Sequence, residues 1–200
     1  MKSDVYDHLD LDGKPFDRSD YSLVSTGIDW GQHWNHVVTM GVHKDNHRVD
    51  LIGLRRVRTV TDVEHLNQDI NEVMEEIRKY NPDIILPDNG YSGNNNLILL
   101  KEFGAKKVFS VIVKSATSSG DIVAHFSEPN HTVTIDKVMQ NMLMLSNMRR
   151  GDIHFWRPVD ADEKLFVEHW SNAIIRTEEQ EVKGTTQLKY TKHYIRKGDD

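Results

Sequence analysis

Cysteine is absent from the 200 residues. That excludes disulfides and thiolate-bound metals, and it fits a reducing compartment. No stretch approaches the ~18 uninterrupted apolar residues that a membrane helix needs, so no membrane is expected as a partner. The first residues are acidic rather than basic and then apolar, which argues against a signal peptide. A G-x-x-x-x-G-K-[ST] loop is also missing, so no P-loop ATPase resides in this chain. There is no internal repeat and no low-complexity tract. What is present, 38% hydrophobic and 28% charged residues, describes a globular chain long enough to bury a core.

The net charge of −6 is a poor omen for a partner made of nucleic acid, but the charge is unevenly spread. Residues 1–20 hold Asp4, Asp7, Asp10, Asp12, Asp17 and Asp20. Residues 183–198 hold no acid, against Lys183, Lys189, Lys192, Arg196 and Lys197. Residues 103–120 are also free of acid and carry Lys106, Lys107 and Lys114. Local basic surface matters more than the sum for holding a polyanion. The plain alternative is a set of solvated faces.

Residues 1–21 read as an acidic leader or linker, and 22–200 as one domain. Residues 22–30, 36–42 and 48–58 read as three strands, the last two joined by the hairpin-like turn "HKDNHR". Thr61 or Asp62 is placed to cap a helix running to Tyr80, with Val63, Leu66, Ile70, Val73, Met74 and Ile77 on one face. The short apolar run "DIILPD" reads as a buried strand, and 94–103 as a helix stopped by Gly104. Residues 107–113 follow as a strand. Thr132 or Thr134 is expected to begin a helix ending at Arg150 and Gly151, with Met139, Met142, Met144 and Met148 as core fillers. "IHFW" reads as an edge strand. Asp160 or Asp162 starts a helix to about Asn172, and 173–194 forms a long hairpin around "KGTTQ". A strand meander followed by alternating strands and helices implies an α/β sheet of mixed strand direction.

The isolated acids organise the rest. Asp29 ends the first strand, Asp88 ends the "DIILPD" strand, and Asp199 and Asp200 follow Gly198. In open α/β sheets, sites form at the carboxyl ends of strands, so Asp29 and Asp88 are expected at one edge. Each has an ordinary reading alone: Asp88-Asn89-Gly90 is a good turn, and Asp199 a good N-cap. Converging carboxylates need neutralising. Without cysteine or a dedicated histidine set, their hard oxygens select Mg²⁺ or Mn²⁺. His33 and His36, three apart in "HWNH", are a weaker metal pair, since that spacing does not converge on a strand.

The ordered set "GIDWG" (27–31), "DIILPDNGYSGN" (83–94) and "YIRKGDD" (194–200) resembles the ribonuclease H-like nucleases. More narrowly it resembles the nuclease domain of the phage terminase large subunit, the DNA-packaging motor. The stretch "TIDKVMQNMLMLSNMRRGDIHF" is similar to the family's helix before a short strand, so the resemblance spans about 22–200. It implies a mixed central β-sheet flanked by helices, with an added β-hairpin near the C-terminus. It also implies an acidic triad of Asp29, Asp88 and Asp200, with Asp199 auxiliary, holding two ions. Asp29 would bridge them, Asp88 would hold one and Asp200 the other. The family's helix after its last acidic pair has no counterpart here. A terminase motor needs the missing ATPase motif, so either this is an excised C-terminal domain or the motor is a separate product. The short Asp-rich start and the end after "KGDD" favour an excised or incomplete fragment.

The implied activity is metal-dependent hydrolysis of duplex DNA with little sequence preference, the two ions activating water and stabilising the leaving oxygen. Lys114, Lys183, Lys189, Lys192, Arg196 and Lys197 are the candidate DNA contacts. Trp30 is expected to pack behind the site, and Gly31 to let the backbone bend clear. The resemblance further implies a terminase ATPase domain, a small terminase subunit and a portal as partners, in the cytoplasm of a host cell. Other readings are a RuvC-like junction resolvase, a non-catalytic DNA-binding or assembly module, and an actin-like or sugar-kinase phosphotransferase. The last would need a second lobe.

Overall fold

The computed structural model describes residues 16–60, 68–90, 93–114, 124–154, 173–181 and 188–196. Three long strands open the fold: β1 (Tyr21–Asp29), β2 (Trp34–His43) and β3 (Val49–Arg58). They form an antiparallel meander, with Ile28 opposite Val37 and His36 opposite Arg56. Helix α1 (Gln68–Tyr80) then returns the chain to β4 (Ile84–Pro87), which pairs with β1 in parallel. That crossover is why β1 and β4 end at the same edge. Helix α2 (Gly93–Phe103) follows and stops at Gly104, whose φ of 88° suits the left-handed cap.

Strand β5 (Ser110–Lys114) lies beyond β4, joined to it by parallel bridges at Ile85–Val108 and Asp88–Val111. It continues into β7 (Thr132–Asp136) and β6 (Ala124–Ser127). Helix α3 (Lys137–Arg150) leads to the two-residue edge strand β8 (Ile153–His154), parallel to β3. Strands β9 (Ala173–Glu181) and β10 (Leu188–Arg196) make the expected hairpin.

One face of the meander packs on α1 and α2. Ile28, Trp30, Val37, Val57, Ile85 and Val108 meet Ile70, Val73, Met74 and Ile77 of α1 and Leu99 of α2. Fully burying each such aliphatic chain contributes about 1.5–3 kcal/mol, so this is the main core. The other face packs on α3 through Leu51, Ile153, Leu145 and Met148, with Val38, Met40 and Met144 alongside.

Two expectations need correction. The segment from Thr132 does not begin a helix: Thr132–Asp136 is strand, and α3 starts at Lys137 with Asp136 as its N-cap. Threonine, valine and isoleucine are β-branched, and a partner strand on each side outweighs their capping potential. Strand β6 was not foreseen at all. Among the methionines, Met148 is buried and Met144 lies against it, while Met139 and Met142 are half-buried. The cap at Thr61 or Asp62, Val63, Leu66 and the helix at 160–172 fall outside the described residues.

Candidate metal and DNA site

Asp29 is the last residue of β1, and Asp88 follows directly on β4. Ile28 and Pro87 are register partners, and the Asp88 amide donates to the Ile28 carbonyl at 2.7 Å. The two aspartates are thus lateral neighbours on adjacent parallel strands, about 4.8 Å apart in backbone terms. Ile28 and Ile85 enter the α1–α2 core, so alternation turns both carboxylates to the opposite face. Helix α3 covers that face only towards the other end, through Val38 and Met40. Among the described residues the carboxylates therefore stand beyond the part of the face that α3 covers, where Asp29 is exposed and Asp88 half-buried.

The backbone beneath them is held by one side chain. Asn96 of α2, 5% exposed, accepts the indole N–H of Trp30 at 2.7 Å. Its amide nitrogen donates to the Asp88 carbonyl at 3.0 Å and to Ser110 Oγ at 3.1 Å. One amide thereby joins the residue after Asp29, Asp88 itself and β5. Trp30 lies in the core, 3% exposed, as the sequence implied. Gly31 is required because a Cβ there would stand 2.3 Å from the Trp34 carbonyl oxygen. The turn is fixed by Thr59, whose hydroxyl donates to the Gly31 carbonyl at 2.7 Å, and by buried Asn35.

The donor set suits a hard divalent cation. Asp88 Oδ2 accepts the Gly90 amide at 3.0 Å, which orients the carboxylate and leaves further lone pairs on both oxygens. Among the described residues no group of three histidines or acids gathers as a complete metal site. The remaining expected ligands, Asp199 and Asp200, lie outside the described residues. His33 is exposed in the turn, whereas His36 sits on β2 beside Asp29, so the two histidines do not converge.

The expected cations divide. Lys114 ends β5 at the same edge, three residues beyond Val111, and is exposed. Alternation places it on the α1–α2 side, away from the carboxylates. In the hairpin, Lys189 pairs with Gln180, Lys192 with Thr177 and Arg196 with Ala173. The partner strand also sets Glu178, Glu179 and Glu181 opposite Thr191, Tyr190 and Leu188, so the acid-free stretch is half of a charge-mixed ladder. Lys183 and Lys197 fall outside the described residues.

The nuclease domain of the large terminase subunit gp2 of bacterial virus Sf6 overlays this chain with a TM-score of 0.57. The identity is 10%, over 96% of this chain and 86% of that one. The fold is ribonuclease H-like. A human cytomegalovirus terminase nuclease domain, Mn soaked, overlays this chain at a TM-score of 0.50. Its identity is also 10%, over 86% of this chain and 84% of that one. Thermus thermophilus RuvC matches 40% of this chain at 19% identity and a TM-score of 0.34, and this chain spans 56% of its length. No family model and no curated protein matches the sequence. No helix among the described residues is long and apolar enough to cross a membrane.

Proposed function

We propose that this chain is a metal-dependent endodeoxyribonuclease domain of the terminase large-subunit kind, cutting duplex DNA with little sequence preference during genome packaging. The observation that carries the reading is the pair Asp29 and Asp88, side by side at the open carboxyl edge of a ribonuclease H-like sheet. Likeness of fold to two viral terminase nuclease domains along most of the chain supports the narrower assignment.

In this reading Asp29 and Asp88 hold Mg²⁺ or Mn²⁺, with Asp200 and Asp199 supplying the third arm. The ions, when bound, supply an activated water and charge neutralisation at the leaving 3′ oxygen. Asp29, central in the sheet, would hold the ions together with Asp88. Asn96 holds the backbone beneath the pair, and the Gly90 amide orients the Asp88 carboxylate. An ATPase domain, a small terminase subunit and a portal are the partners such a nuclease would serve, in a host cell's cytoplasm.

The test is incubation of the 200-residue chain with supercoiled plasmid or a four-way junction, in Mn²⁺, Mg²⁺ or EDTA. Relaxed and linear plasmid should form only with metal, and Asp29→Asn should abolish cutting while leaving the melting temperature near wild type. Junction cleavage without plasmid cleavage would replace the terminase reading with a resolvase. Metal-dependent cutting that survives Asp29→Asn would remove that residue from the site.

A further inference from the structure

The carboxylate pair is one end of a longer row. Asp29 is the register partner of His36 on β2, and His36 is the partner of Arg56 on β3. Lateral partners share a face. Asp88, Asp29, His36 and Arg56 therefore cross four adjacent strands in line, on the side that α3 leaves open. One step towards the strand ends, Trp34 and Arg58 are partners on that same face. The Arg56 guanidinium carbon lies 4.3 Å from the Trp34 ring centroid. Trp34 is 39% exposed, so the stack lies at the surface.

We propose that Arg56, stacked on Trp34, is a substrate-binding residue that contacts a non-scissile phosphate of duplex DNA. This rests on the nuclease reading for its choice of ligand. Arg56 stands two strands from Asp29, about 10 Å at ~4.8 Å per strand. That distance spans the neighbouring phosphates of one DNA strand, which rises ~3.4 Å per nucleotide. Stacking uses the flat face of the guanidinium and restricts its rotamers; Nε of the half-buried side chain is buried, so a phosphate would be met by the terminal N–H groups. The arrangement also solves an electrostatic problem. Two carboxylates repel a polyanion before metal binds, and a fixed cation in the same row draws the strand across them. Sequence reading looked for cations in acid-free stretches and so passed over Arg56, which becomes part of the row only through the β2–β3 register.

The experiment is fluorescence anisotropy of the full chain with a labelled DNA duplex in EDTA, from 50 to 200 mM salt, so that binding is read without cleavage. Arg56→Gln should weaken binding roughly tenfold and lower the slope of log K against log salt by about one. Arg56→Lys keeps the charge, so it should lose affinity but retain the wild-type slope. Trp34→Leu should weaken binding at unchanged slope. An unaltered affinity and slope in Arg56→Gln would overturn the proposal. So would a lysine variant whose slope falls as far as the glutamine variant's, since the loss would then be structural. Absence of duplex binding by the wild type would overturn it as well. If the wild type binds with the Arg56-dependent slope yet never cuts with metal, the nuclease reading fails and the phosphate contact stands.

Discussion

Through a single amide Asn96 joins the residue after β1, the residue after β4 and Ser110 of β5, and the first two contacts reach the neighbour or the backbone of a candidate metal ligand. Substituting alanine would leave the buried Trp30 indole N–H without its acceptor, and the Asp88 carbonyl without its donor. An unsatisfied buried polar group costs about 1–3 kcal/mol. For a chain of this size that is about 2–4 °C of melting temperature per kcal/mol. A positioning role predicts more than lost stability. Asn96→Ala should raise the Mn²⁺ concentration needed for half-maximal plasmid cutting, by about 10–100-fold as for other groups that orient ligands. If only the melting temperature moves and the metal requirement does not, Asn96 is purely structural. Asn96→Asp keeps an acceptor for Trp30 but sets a carboxylate oxygen against the Asp88 carbonyl, so it should lower the melting temperature as well as the cutting rate.

At the scale of elements, the parts legible in the sequence are those decided by local pattern. Val24, Thr26 and Ile28 alternate towards one face, and Ile70, Val73, Met74 and Ile77 recur at helical spacing; all of these are buried. Asp29 and Asp88 could be placed at one edge because a strand-end acid needs only the strand's end and direction to be known. Asn96 and Arg56 could not, since their importance comes from register and from contacts between distant segments. The Thr132–Asp136 segment failed for a related reason: "TVTID" offers both capping oxygens and β-branched side chains, and only its neighbours β5 and β6 decide. The true cap makes a prediction. Asp136 Oδ1 accepts the Met139 amide at 3.0 Å, and Gly151 closes α3 at φ 75°. Asp136→Ala should cost about 1 kcal/mol. The urea midpoint should fall with an unchanged m-value, because α3 still packs through Leu145 and Met148. A change in m would mean that α3 had lost its packing rather than its cap.

Across the whole molecule, the end of the sheet remote from the carboxylates is held by aromatic rings seated on glycines. A Cβ on Gly41 would stand 2.4 Å from the Tyr21 ring, and one on Gly53 2.6 Å from the Tyr80 ring. Phe16 bridges the two, stacked on Tyr21 at 5.6 Å and edge-on to Tyr80 at 5.2 Å. Both phenols are kept neutral. Burial, followed by the charge of Asp50 and a 3.2 Å hydrogen bond to it, pushes Tyr21 up to about 12. Burial, followed by Glu76, does the same for Tyr80, also to about 12. The unfolded chain releases these protons near pH 10 while the folded chain still holds them, so above pH 10 stability must fall as pH rises. The contribution is fully present below pH 10 and is lost by about pH 12. The melting temperature should therefore drop steeply across that window, and the double variant Tyr21→Phe, Tyr80→Phe should show a shallower drop. Ultraviolet titration should find Tyr21 and Tyr80 ionising late, together with loss of secondary structure. Equal slopes in wild type and variant would mean that alkaline unfolding is driven elsewhere. Because this cluster lies at the far end of β1 from Asp29, the double variant should also retain its metal-dependent cutting at neutral pH, separating the part of the sheet that holds it together from the part proposed to act on DNA.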